Sequence, residues 1–168
     1  MSDNKLTKIR RQDRAITDDI WIADFLRKAN YGVFATCKNG QPFTVARNFT
    51  YDAQRNAIYF HGARKGRTFE NVGQGTSVNL NVSEMGEWIV ADRAMNFGVK
   101  YKGVVVFGRL SVVEDAEEAK RGLQLIMDKY FPVLRPGVDY EVATDDDLKV
   151  TAVFRVDIES WSGKEKKD

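Results

Sequence analysis

The sequence predicts a mainly β fold, an antiparallel β-barrel of about six strands with peripheral helices, closed or nearly closed. Strand-like segments follow one another with Asn-, Asp- and Gly-containing turns between them, and helical periodicity is confined to two stretches. The strands are not interleaved with helices in the way that builds a parallel α/β sheet. A chain of 168 residues is the size of one ordinary domain. Residues 1–168 are therefore read as one unit, with an N-terminal arm over 1–16 and a solvated tail over 163–168.

The elements follow in order. After the arm, Thr17 can cap a helix whose positive end suits Asp18 and Asp19. Its apolar stripe is Trp21, Ile22, Phe25, Leu26 and Ala29, and Gly32 ends it. YGVFATC and PFTVARNFTY read as two strands of a hairpin, because the intervening Asn39-Gly40 supplies the positive φ such turns need. AIYFH is a third strand that delivers His61 at its end. A glycine-rich connection with a short helix over 66–72 leads to TSVNLNVS, which alternates with Val78, Leu80 and Val82 on one face. Residues 84–100 give no readable period. YKGVVVFGRLSVV is a long strand, apolar on both faces around 104–107, which calls for cover on both sides. Asp115 caps a second helix with the stripe Ala119, Leu123, Ile126, Met127 and Tyr130, stopped by Pro132. VTAVFRVDIESW is the closing strand.

Composition excludes several classes of function. Lys and Arg total 26 against 24 Asp and Glu, a net charge of +2, so no nucleic-acid partner is expected. Cys37 is the sole cysteine, which rules out an intrachain disulfide framework and suits a reducing cytoplasm. No apolar run approaches the roughly 20 residues of a membrane helix, and the charged opening lacks a signal core; the expectation is a soluble, cytoplasmic protein with no membrane partner. One histidine and one cysteine remove the usual zinc sites, and no metal site is expected. There is no GxSxG elbow, no GxxxxGK[ST] loop and no complete GxGxxG.

Four features carry the chemistry that remains. Arg64, Lys65 and Arg67 fall between a strand end and a short helix, with Gly62 and Gly66 permitting close backbone approach. The cluster reads either as a phosphate site or as a solvated basic turn. Arg47 interrupts the apolar row Phe43, Val45, Phe49 and Tyr51; a bound anion or polar ring edge would justify it, and so would an Arg that reaches out at a barrel rim. His61 fits a general acid, a haem ligand or a hydrogen-bonded strand end. Trp161 fits a platform for a flat ring or ordinary packing.

Taken together, RRQDRAIT, YGVFAT, GQPFTVARNFTYD, IYFHGARKGRTFENV, YKGVVVFGRLSVV and RVDIESWSGK resemble the pyridoxamine 5'-phosphate oxidase-like, FMN-binding split-barrel family. Within it, they are most similar to the 5-nitroimidazole resistance proteins. The resemblance covers nearly the whole chain and implies a homodimer with FMN at the subunit interface. It places Arg64, Lys65 and Arg67 on the FMN phosphate, and Val45, Ala46, Arg47 and Asn48 along the flavin ring. Phe60, His61, Gly62 and Ala63 would form the adjoining wall, with Gly66 and Thr68 in the phosphate loop and Lys102, Gly103 and Trp161 approaching from the second subunit. The implied activity is transfer of electrons from NADH, NADPH or another small donor to a small acceptor, with His61 a candidate proton donor. The alternatives are a non-catalytic flavin or haem carrier or sensor and, further off, a single-stranded nucleic-acid-binding barrel. Two departures stand out. Relatives that oxidise pyridoxamine phosphate end in an arginine-containing motif that SWSGKEKKD lacks, and relatives with a GRK pattern carry lysine where this chain has Thr68.

Overall fold

A computed structural model describes residues 6–73 and 75–167. Eight strands are present among the described residues: β1 (Ala15–Ile16), β2 (Gly32–Lys38), β3 (Gln41–Arg47), β4 (Thr50–Asp52), β5 (Ala57–Ala63), β6 (Thr76–Ile89), β7 (Gly98–Val112) and β8 (Thr151–Lys166). Four α-helices accompany them: α1 (Asp19–Lys28), α2 (Arg67–Asn71), α3 (Ala116–Tyr130) and α4 (Asp145–Val150). The sheet runs β3-β2-β6-β7-β8-β5-β4, with β1 added to β8, and every named strand pair is antiparallel. The predicted barrel class is therefore observed, with eight strands in place of about six.

The two extra strands, β1 and β4, have a simple origin. PFTVARNFTY is not one strand: it breaks after Arg47, so β3 and β4 lie at opposite ends of the sheet although only Asn48 and Phe49 separate them. Two residues span so little that the sheet must curl until its ends meet. Gly163–Lys166 are likewise not a free tail, because Gly163 and Lys164 pair with Ile16 and Ala15 of β1 and β8 continues against β7 to Lys166; Asp168 and the first five residues of the expected arm lie outside the described residues. Backbone pairing holds whatever charges the outward side chains carry. The structure also shortens α1, which ends at Lys28, and its cap is Asp18, whose carboxylate accepts from the N–H groups of Ile20 at 2.9 Å and Trp21 at 3.4 Å. Asp115 caps α3 as expected, accepting from the Glu118 N–H at 2.7 Å.

One core fills the barrel. Phe34, Ile58, Phe60, Val78, Leu80, Val82, Val104, Val106, Leu110, Phe154 and Val156 point inward, and Ile22, Phe25 and Leu26 of α1 join them. At the seam, Phe49 is fully buried and its peptide groups have no sheet partner, so α3 supplies them. The Phe49 N–H donates to the Tyr130 hydroxyl at 3.0 Å, and that hydroxyl donates to the Asn30 carbonyl at 2.6 Å. Lys129 Nζ donates to the carbonyls of Phe49 at 2.8 Å and Leu26 at 3.2 Å, and lies 4.2 Å from the Phe49 ring centroid. Burial pushes the Lys129 ammonium down to about 8.

On the outer face, α3 is held down by polar contacts. Glu118 Oε1 accepts from the Tyr59 hydroxyl at 2.7 Å and Arg155 at 2.9 Å, and lies 2.7 Å from Arg55 Nη1. Arg121 pairs with the buried Asp52 carboxylate at 2.6 Å. Burial alone would raise the Glu118 carboxyl, but the bonds from Tyr59 and Arg155, with Arg155's charge and Arg55 behind them, bring it to about 2.

Two outcomes follow for stability. Tyr130→Phe leaves the seam's N–H and a carbonyl unpaired, and denaturant unfolding should show a loss of about 1–3 kcal/mol. Because the Glu118 pKa is depressed from its ordinary 4.5 to about 2 in the fold, its contribution is complete above the higher value and fades as pH falls toward the lower. The melting temperature of Glu118→Gln should therefore change less than that of the parent across that acid window; equal slopes would remove Glu118 from the acid response.

Candidate functional site

The site is organised by β5, whose side chains alternate across the sheet. Ile58 and Phe60 enter the barrel core, while Ala57 and Tyr59 belong to a second cluster under α3. Gly62 continues the inner row and His61 the outer one. The strand thus separates two concavities, an inner cleft and an outer groove.

The inner cleft, of about 330 Å³, is lined by Phe43, Val45 and Arg47 from β3, Gly62 and Ala63 from β5, Lys65, Gly66, Arg67 and Thr68 from the loop and α2, and Phe154. Of its β3 wall, Val45 packs against the barrel core. Phe43, Val45 and Arg47 are only half-buried, and β3 pairs on one side alone, leaving an edge of backbone groups without a sheet partner. Arg67 lies with its guanidinium carbon 5.4 Å from the Phe43 ring centroid. Gly66 adopts φ +88°, a conformation that favours glycine, and thereby turns the basic loop. The α2 helix is anchored by Asn71, which donates to the Thr36 hydroxyl at 3.0 Å, and by Phe69, edge-on to Phe154.

Arg47 is the unusual member. Its Nε is buried and, among the described residues, has no hydrogen-bond partner. One guanidinium nitrogen stands 3.9 Å from where a Cβ on Gly62 would lie. A buried donor left unpaired costs about 1–3 kcal/mol, so the position makes sense with an acceptor in the cleft.

The outer groove, of about 600 Å³, lies between β5, α3 and the loop before α4. His61 faces it with Leu123, Ile126, Met127 and Val142, and Glu117, Lys120, Arg121 and Glu141 also line it. Burial, with the nearby charge of Arg47, lowers the His61 pKa and favours the neutral imidazole.

Eight of the residues singled out from sequence meet in the inner cleft: Val45, Arg47, Gly62, Ala63, Lys65, Gly66, Arg67 and Thr68. The others lie elsewhere within the chain. Arg64 Nε donates to the Leu148 carbonyl at 2.6 Å, which ties it to α4. Phe60 is fully buried and stacks on Phe154. Ala46 and Asn48 are exposed and do not line the cleft. Trp161 Nε1 donates to Asp19 at 2.7 Å and its ring meets Tyr51 edge-on. Lys102 pairs with Glu84 at 2.9 Å, and Gly103 sits where a Cβ would come within 3.0 Å of the Val82 carbonyl. Phe43 and Phe154 are cleft residues that the sequence reading did not select; Phe43 was legible as the start of the row ending at Arg47, whereas nothing near Phe154 marks it.

Arg47→Met keeps the apolar stem and removes the unpartnered nitrogen. The ligand-free variant should melt at or above the temperature of the parent; a drop of several degrees would mean that the guanidinium holds the fold together.

A family profile described as pyridoxamine 5'-phosphate oxidase matches residues 18–165. Among solved structures, the flavocytochrome Anf3 from Azotobacter vinelandii superposes with TM-score 0.83 at 23% identity, over 98% of this chain and 75% of that one. An FAD and heme binding protein from Mycobacterium smegmatis gives 0.80 at 20% identity over 92% and 74%. A candidate 5-nitroimidazole antibiotic resistance protein from Bacteroides thetaiotaomicron gives 0.69 at 19% identity over 90% and 86%. At these identities the likeness is one of fold. No curated protein sequence gives a significant match. Since the profile runs from the cap of α1 almost to the end of β8, the chain belongs to the pyridoxamine 5'-phosphate oxidase family.

Proposed function

We propose that the protein is a flavin-dependent redox protein, with FMN in the inner cleft, that moves electrons from NADH, NADPH or another small donor to a small acceptor. The observation that carries this reading is the cleft itself. It gathers Lys65, Arg67 and the Thr68 hydroxyl at a basic loop, apolar walls from Phe43 and Val45, and Arg47 with a buried donor that lacks a partner. That set fits a ligand with an anionic tail and a flat, polar-edged ring.

The flavin would supply the electron chemistry, and the protein its placement. Lys65 and Arg67 would hold the phosphate, Lys as a point charge and Arg through its planar fork. Thr68 would add a hydroxyl donor in place of the lysine charge of some relatives. Arg47 would meet an acceptor on the ring or ribityl chain, and the free edge of β3 offers backbone donors and acceptors beside it. The Mycobacterium protein that shares the fold binds FAD, and the open cleft admits either flavin nucleotide. His61 faces the outer groove and is not needed for holding the flavin.

The working unit in this proposal is a homodimer, in which Lys102, Gly103 and Trp161 reach the cofactor of the partner. Two features support it. Val105 and Phe107 are half-buried on the outer face of β7, and the β6–β7 hairpin exposes Met85, Trp88, Val90, Met95 and Phe97. Among the described residues no helix is long and apolar enough to cross a membrane, and the cytoplasm is proposed as the site of action.

Haem is a second reading, favoured by the place of His61 outside the cleft. One structural neighbour is a flavocytochrome and another binds FAD and heme.

Mass spectrometry of ligand released from purified protein should identify FMN or FAD, and NADH or NADPH should bleach the flavin absorption. Lys65→Ala with Arg67→Ala should weaken FMN binding at least tenfold, with an unchanged circular dichroism spectrum. Full FMN occupancy in that double variant would move the phosphate elsewhere, and a monomer in sedimentation would remove the shared site.

A further inference from the structure

The outer groove of about 600 Å³, between β5, α3 and the loop before α4, has no part in holding the flavin. Sites for compact organic molecules span roughly 300–1,000 Å³ and combine apolar walls with a few placed polar groups. Leu123, Ile126, Met127 and Val142 supply the walls here. They suit a hydrocarbon or aromatic body. Gln124 holds the loop wall in place by donating to the Tyr140 hydroxyl at 2.8 Å.

The charges around those walls select the head group. Lys120 lies 3.1 Å from Glu117 and 2.7 Å from Asp145, and Arg121 lies 2.6 Å from Asp52. Both cations are already met by carboxylates, Lys120 by two. Glu141 lines the groove, is exposed, and meets no cation among the described residues. The groove therefore carries surplus negative charge and suits an ammonium better than an anion. His61 is the second polar point. It is half-buried and has no hydrogen-bond partner among the described residues, whereas Tyr59 in the same row is fixed by Glu118. Burial, with the charge of Arg47, favours the neutral imidazole, which has one N–H donor and one nitrogen acceptor. A hydroxyl can use either. The positive charge of Arg47 also turns an ammonium away from the imidazole and toward the glutamates.

We propose that this groove binds an aryl-alkyl ammonium, with its flat body against α3, its ammonium at Glu141 and Glu117, and a ring hydroxyl hydrogen-bonded to His61. The inference does not rest on the flavin reading.

His61 is the chain's only histidine, so its imidazole NMR signals report on the groove alone. Tyramine titrated into the purified full chain at fixed pH should shift those signals saturably. Phenethylamine, which lacks the hydroxyl, should bind about three- to tenfold more weakly. The carboxylate counterpart, 4-hydroxyphenylpropionate, should bind about tenfold more weakly or worse. Glu141→Gln should weaken tyramine about two- to fivefold, with a loss that shrinks as salt is raised. Imidazole signals that stay unmoved at millimolar tyramine would overturn the site. Equal affinity for the amine and the carboxylate, in the parent and in Glu141→Gln, would overturn the ammonium assignment. FMN affinity measured on the same samples reads the flavin proposal separately, and it should be unchanged in Glu141→Gln.

Discussion

Asn48 and Phe49 join the two ends of the sheet path, and the rest of the molecule follows from how that junction is held. A two-residue link forces β3 and β4 together, yet the two strands do not pair with each other. The peptide of Phe49 is therefore buried without a ladder partner, a condition that costs free energy unless other groups satisfy it. Tyr130 and Lys129 do so from the end of α3. The helix thereby fixes where the seam lies, and β3 beyond it has a half-buried inner row and one edge without a sheet partner. The inner cleft lies along that half-buried row, so the site sits beside the place where the barrel closes.

The second organising element is β5. Its outer row attaches α3 through Tyr59 and Glu118, and its inner row packs the core through Ile58 and Phe60. At its end, where Gly62 and His61 continue those rows, the packing partners run out and two concavities face each other across one strand. Arg47 lines the inner one, and its charge adds to the burial that lowers the His61 pKa in the outer one. The arrangement needs no special motif beyond a strand that extends past its core.

Much of this was readable in the sequence, for identifiable reasons. Asn39-Gly40, the capping Asp115 and the alternation of TSVNLNVS each left a local signal. The basic loop was legible as a cluster, and two of its three cations line the cleft. Arg64 was misleading because its partner, the Leu148 carbonyl, belongs to α4, a six-residue helix too short to show a period. His61 was ambiguous because AIYFHGA is apolar on both faces, so alternation shows that His61 and Gly62 diverge without showing which one faces inward. The break at Asn48 had no turn signature, and the apolar residues of the β6–β7 hairpin follow no burial period because they are exposed. In the last segment, charged side chains masked a strand whose backbone is paired on both sides.

That last pairing also bears on the order in which the molecule can assemble. Ala15 and Ile16 find their partners at Lys164 and Gly163, and the peptide of Phe49 waits for Tyr130. A ribosome delivers the first strands long before either partner exists, so the emerging half-barrel is a curled ribbon with unpaired edges exposed to other chains. Contacts this distant in sequence make closure slow among domains of similar size. The interval between synthesis and closure is when this protein is most exposed to misassembly.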